Sequence, residues 1–283
     1  MKRLLVLLVL LVLLFPLVSM AQTGKELDAS GSGIQSNFFF EIAKGDVQGH
    51  SIVHKFGKNN AVANGAWELV SAASAATSFL SAATTVRVKA GDTADSTGNT
   101  GARAITVEGL DETGAAVTET IKTNGTSAGT ASTTTFLRVF RAYVTADSAG
   151  TYGASNTAAV VIENSAGTAD LLTIAIEEGQ TQYGAYTIPL GKTGYLMSVT
   201  LQSDGVKAAD FRLMTRADML DTSAPSEPVR IRLYFDGILG QESVQPLSPM
   251  LALTENTDIW IEANGSGAQT EVSVDFEIIL VDN

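Results

Sequence analysis

The clearest pattern in the chain lies near its end. Across residues 270–281, Val272, Val274, Phe276, Ile278 and Leu280 alternate with Glu271, Ser273, Asp275 and Glu277. Strand side chains point to opposite faces with a period of two, so this segment predicts a strand with one face in a core and one in water. Three neighbours repeat the rule. Ile259, Ile261 and Ala263 alternate with Asp258, Trp260 and Glu262; Val229, Ile231, Leu233 and Phe235 alternate with Arg230, Arg232, Tyr234 and Asp236. Tyr195, Met197, Val199 and Leu201 alternate with Leu196, Ser198, Thr200 and Gln202, and Phe211, Leu213 and Thr215 stand opposite Arg212, Met214 and Arg216. Half-buried strands need a second layer over their apolar faces, which a two-sheet sandwich supplies. Roughly seven or eight strands follow Gly184, a number that suits a jelly roll.

The earlier part of the chain is also strand-like. Val86 and Val88 begin a strand that the loop 91–101 ends. Segments 103–110 and 116–123 read as a hairpin across Asp111-Glu112-Thr113-Gly114, residues that suit a turn. Segment 136–145 is apolar on both faces except for Arg138 and Arg141, the mark of a central strand, and segments 158–163 and 171–176 pair around Asn164-Ser165-Ala166-Gly167. The run 71–85, mostly Ala, Ser and Thr around Phe79 and Leu80, fits a short helix over 72–80 or a β edge equally well. A break near Glu178-Gly179-Gln180 divides the chain. The prediction is an all-β protein of two antiparallel β-sandwich domains, an N-terminal β-rich one over 38–178 and a jelly-roll-like one over 179–283.

Ahead of them, Lys2 and Arg3 precede an unbroken apolar run from Leu4 to Phe15, and Ser19-Met20-Ala21 offers the small residues of a cleavage site. This is the pattern of a secretory signal peptide over 1–21, cut after Ala21. The run is short for a bilayer core, which takes about 20 apolar residues. Residues 22–36 are polar and glycine-rich and read, through residue 37, as a flexible leader.

Composition narrows the chemistry. Twenty-six glycines and a charged fraction of only 17% suit short strands and tight turns better than helices. A formal net charge of −12 leaves no basic stripe for phosphates, so nucleic acid is not an expected partner, and an anionic membrane would repel the chain. No stable membrane insertion is expected once the signal is removed. The absence of cysteine excludes disulfides, thiolate zinc sites and a cysteine nucleophile.

No catalytic, cofactor or metal site is expected, and the protein reads as non-enzymatic. His50 and His54, the only histidines, have zinc-binding spacing on a helix, but flanking Gly49 and Gly57 favour a turn and strand, where the two rings sit far apart. Asp92, Asp95 and Asn99 supply oxygens of the kind calcium takes, without an EF-hand spacing or a closing bidentate Glu. Gly49-His50-Ser51 puts a base beside a hydroxyl only in sequence, since adjacent strand residues point apart, and no Gly-x-Ser-x-Gly elbow exists. Three aromatics on solvent-side positions, Trp260, Tyr234 and Trp67, are the candidates for an interface or a stacked sugar.

An ordered series of short segments remains. It begins with Phe40-Glu41-Ile42-Ala43-Lys44-Gly45-Asp46-Val47-Gln48-Gly49-His50-Ser51 and Lys55-Phe56-Gly57, followed by Gly101-Ala102-Arg103 and Val107-Glu108-Gly109-Leu110-Asp111. Phe136-Leu137-Arg138-Val139-Phe140-Arg141, Gly179-Gln180-Thr181, Tyr186-Thr187-Ile188-Pro189 and Gly191-Lys192-Thr193 come next, and Thr257-Asp258-Ile259, Phe276 and Val281-Asp282-Asn283 end it. The series, over residues 38–283, resembles a family of marine tailed-phage virion structural proteins. The resemblance implies a virion component (capsid decoration, head fibre or tail-associated), a homo-oligomer in contact with other virion proteins, and supplies no catalytic residues. The signal peptide favours a different expectation, a secreted or cell-surface β-sandwich module or adhesin that recognises a surface glycan.

Overall fold

The computed structural model describes residues 38–72, 79–221, 229–244 and 250–283. The expected signal peptide and leader, and most of the Ala/Ser/Thr-rich run, lie outside them. Compactness separates the chain into Met1–Asp46 and Val47–Asn283. In the first unit, Phe38–Lys44 forms a helix, α1, with Ile42 buried and Lys44 paired with Glu41 and Asp46 at 3.0 and 2.7 Å.

The second unit is built from three antiparallel sheets. The first joins β1 (His50–Val62), β16 (Thr270–Asp282), β10 (Lys192–Ser203) and β13 (Gln241–Val244) in that order, with β14 (Leu251–Leu253) also on β10. The second runs β12 (Arg230–Ile238), β11 (Ala209–Arg216), β15 (Asp258–Gly265), β2 (Glu68–Leu69), with β9 (Ala185–Thr187) also on β15. The third holds β5 (Ala116–Lys122), β4 (Ala104–Leu110), β6 (Thr135–Thr145), β3 (Phe79–Ala90), β7 (Val160–Asn164) and β8 (Asp170–Ile174). The all-β sandwich architecture is thus the one the alternation requires. Phe79 and Leu80 open a strand, and β6 is central, between β4 and β3.

The chain does not fill these sheets in sequence order. β1 lies along β16 from His50↔Val281 to Asn59↔Val272, and β2 pairs with β15, so segments early in the chain belong with the sheets formed by its last third. Gly57 makes the crossing tight. A Cβ there would come 2.3 Å from the Val70 carbonyl and 2.5 Å from the Gly184 nitrogen, so only glycine lets the backbones approach.

The two largest cores among the described residues lie on opposite faces of the second sheet. Between the first and second sheets, Val272, Val274, Phe276, Ile278 and Leu280 meet Phe211, Leu213, Ile259 and Ile261. The opposite face of the second sheet contributes Ala185, Met214 and Trp260 to the core of the third, among Val86, Ile105, Phe136, Ile162 and Leu172. Trp260 does lie on the other face from Ile259 and Ile261, as the alternation prescribes. The expectation that it projects into solvent is overturned, because the third sheet covers that face and leaves the ring 6% exposed.

Two bulges correct other face assignments. In β10, the register with β16 slips between Leu196 and Ser198, so Met197 is an extra residue. Leu196 joins Val199 and Leu201 in the core while Tyr195 turns away. In β12, Leu213 pairs with Leu233 but Met214 pairs with Ile231, which leaves Arg232 unpaired. Leu233 and Phe235 pack on the core as expected, but Ile231 and Val229 are 52% and 49% exposed. A bulge places two residues against one, and every side chain beyond it changes face.

Candidate functional site

The described parts of the second sheet carry a partly exposed cluster of aromatic and charged groups. Register builds it. Arg212 on β11 stands opposite Tyr234 on β12 and opposite Glu262 on β15, so the three form a row across the strands. Trp67, just before β2, lies over the row. Its ring meets Tyr234 edge-on at 5.8 Å between centroids and 63° between planes, and the Arg212 guanidinium stacks on it at 4.3 Å. Arg212 is held from the other side by Glu262, with Nε donating at 2.7 Å and Nη2 at 2.5 Å. The second Glu262 oxygen accepts the Trp260 indole N–H at 2.8 Å.

Of the three candidate aromatics, Trp67 and Tyr234 therefore come together and Trp260 stands behind them as a buried support. Tyr234 is 53% exposed and Trp67 half-buried. Arg212 and Glu262 were legible only as polar positions, since nothing in the sequence pairs residues 50 positions apart. Beside the row, Asp210 and Asp236 share a hydrogen bond. That contact first, and then the Asp210 charge, push the Asp236 carboxyl above its usual range. Asp210 also accepts the Gly237 N–H at 2.8 Å.

The remaining sequence candidates have structural work. His50 and His54 sit on β1, where four residues span roughly 13 Å. His50 Nδ1 lies 3.0 Å from the Gln48 carbonyl and His54 Nε2 lies 3.2 Å from Asp275. In the acidic loop, Asp95 is fully buried and accepts the N–H groups of Ala102, Thr157 and Ala158 at 2.9–3.1 Å. It ties two loops together. Among the described residues no group of three or more His, Asp or Glu is placed to hold a metal.

Charge is also buried between the second and third sheets. Arg138 of β6 donates Nε and Nη2 to the two oxygens of Asp258 at 2.9 and 3.0 Å, and Nη1 to the Leu80 and Leu137 carbonyls. Asp258 also accepts Thr187 Oγ1 at 2.7 Å and Arg216 Nη2 at 2.6 Å. Both guanidinium groups lie over Phe79, whose ring is 5.0 Å from Trp260. Arg138 was one of the two exceptions in an otherwise apolar strand, and this pair is the reason. Elsewhere Lys55 of β1 is buried and donates to the Phe140 carbonyl of β6 at 2.5 Å. Burial first, then the Arg141 charge, lower its pKa to about 7, against the raising effect of Glu108.

No family model matches the chain, and no curated protein matches it. A chain of the T=1 particles derived from infectious bursal virus is similar at 10% identity and a TM-score of 0.22, over 83% of this chain and 74% of that one. A likeness at that score carries no argument about what this protein does.

Proposed function

We propose that this protein is a non-enzymatic structural component that acts by assembling with copies of itself and with neighbouring proteins, and that its setting is a virion, as capsid decoration, head fibre or tail-associated part. One observation carries the assembly reading. Val229, just before β12, and Ile231 on it lie exposed at one edge of the second sheet. Exposed apolar side chains along a sheet edge are the usual mark of a surface that another chain covers. The ordered segments from Phe40 to Asn283 that resemble tailed-phage structural proteins support the virion setting.

Light scattering coupled to size exclusion tests it. The wild type is expected to run as an oligomer, and Val229→Asp with Ile231→Asp to shift it towards monomer with an unchanged β-sheet circular dichroism spectrum. A wild type that stays monomeric at every concentration would sink the assembly reading, and absence of the protein from purified particles would sink the virion setting.

A further inference from the structure

We infer that the Trp67–Tyr234 face of the second sheet is a binding platform for a neutral saccharide. The inference is independent of the assembly reading and rests on different residues. Its first ground is that the face is prebuilt. From buried Trp260, contacts run outward through Glu262 and Arg212 to the Trp67 ring, each at hydrogen-bonding or stacking distance. A platform fixed from beneath loses little freedom when a ligand settles on it. Tyr234, set edge-on to Trp67 and half exposed, supplies a second ring at an angle to the first.

The second ground is the balance of charge. Arg212 is neutralised by Glu262 at 2.5 Å, and Arg232 turns its Nε to Thr215 at 2.9 Å. Beside the row, the carboxyls of Asp210 and Asp236 are hydrogen-bonded to one another. The cation of the row, Arg212, is thus already matched by a carboxylate, whereas Arg232 keeps its charge because Thr215 is a neutral partner. The acidic pair beside the row disfavours a phosphate, sulfate or carboxylate ligand. What the row does offer is aromatic surface for an apolar ring face, with carboxylate oxygens alongside to accept hydroxyl protons. A neutral sugar ring presents both, C–H on its faces and hydroxyls around its rim.

The chain's two tryptophans make the test simple. Trp260 is buried, so collisional quenching by acrylamide reports chiefly on Trp67. The probes are maltohexaose, cellohexaose, laminarihexaose and mannohexaose at millimolar concentration, with dextran sulfate as the anionic comparison, and calorimetry gives the affinity. At least one neutral hexasaccharide is expected to shield Trp67 saturably. Tyr234→Ala, at an exposed site, is expected to weaken that binding about tenfold, and Trp67→Phe to abolish the fluorescence response while calorimetry still detects weakened binding. The inference is overturned if none of the neutral probes shields Trp67, or if only dextran sulfate does. It is equally overturned if Trp67 is already shielded in the oligomer and becomes quenchable on dilution to monomer. That last result would assign the face to a second copy and leave the assembly reading standing.

Discussion

Asp258 is the residue on which the joint between the second and third sheets depends, and Asp258→Ala measures it. The Arg138 side chain is 2% exposed and that of Asp258 is fully buried. Removing the carboxylate strands the guanidinium, since its two carbonyl partners satisfy Nη1 and leave Nε and Nη2 without acceptors. Breaking a buried pair from one side costs about 3–5 kcal/mol. Arg216 adds less, because it is 20% exposed and can reach water. On a typical stability of roughly 5–15 kcal/mol, a loss of that size is a large part of the whole. Urea unfolding followed by circular dichroism gives the number. The decisive comparison is the double replacement Arg138→Met with Asp258→Leu, which removes both charges. It is expected to recover much of the single-mutant loss, because an apolar pair of similar volume leaves no fully buried charge without a partner, and Arg216, 20% exposed, can still reach water. If Asp258→Ala costs under about 1 kcal/mol, water reaches the joint and the burial argument fails. If the double variant loses as much as the sum of its singles, the two residues are not coupled.

Three further outcomes are expected. Trp260→Ala should destabilise the protein about as much as Phe276→Ala, roughly 3–5 kcal/mol each by urea titration, since both side chains leave cavities in a packed core. The folded pKa of Lys55, about 7, lies below its unfolded value. The unfolded chain therefore holds the extra proton between the two, and stability should rise as pH increases from about 7 towards 10, with Lys55→Met flattening that rise. Intact-mass measurement of exported protein should show a chain beginning at Gln22, and retention of Met1 and Lys2 would refute cleavage after Ala21.

Strict alternation along 270–281 determined the face of Val272, Val274, Phe276, Ile278 and Leu280, because the slips in its pairing with β1 and β10 put the extra residues in those partners and β16 itself keeps its phase. The Asp111–Gly114 turn was equally plain, its Asp accepting the N–H groups of Thr113 and Ala115 as turn chemistry requires. In β10 and β12 the same rule failed at one residue each. A bulge is a property of two paired strands, and neither Met197 nor Arg232 announces it. The sequence likewise placed Trp260 opposite Ile259 but said nothing about what lay on that side. Period two reports which residues share a face, and only the packing of a third sheet decided that both faces were interior. Arg138 marked a buried charge without naming a partner, since Asp258 lies 120 positions away. The candidate platform was legible as two aromatics and nothing more. Trp67 and Tyr234 meet, and Arg212 and Glu262 join them, only because β2, β15, β11 and β12 lie side by side, a neighbourhood fixed by chain topology rather than by local pattern.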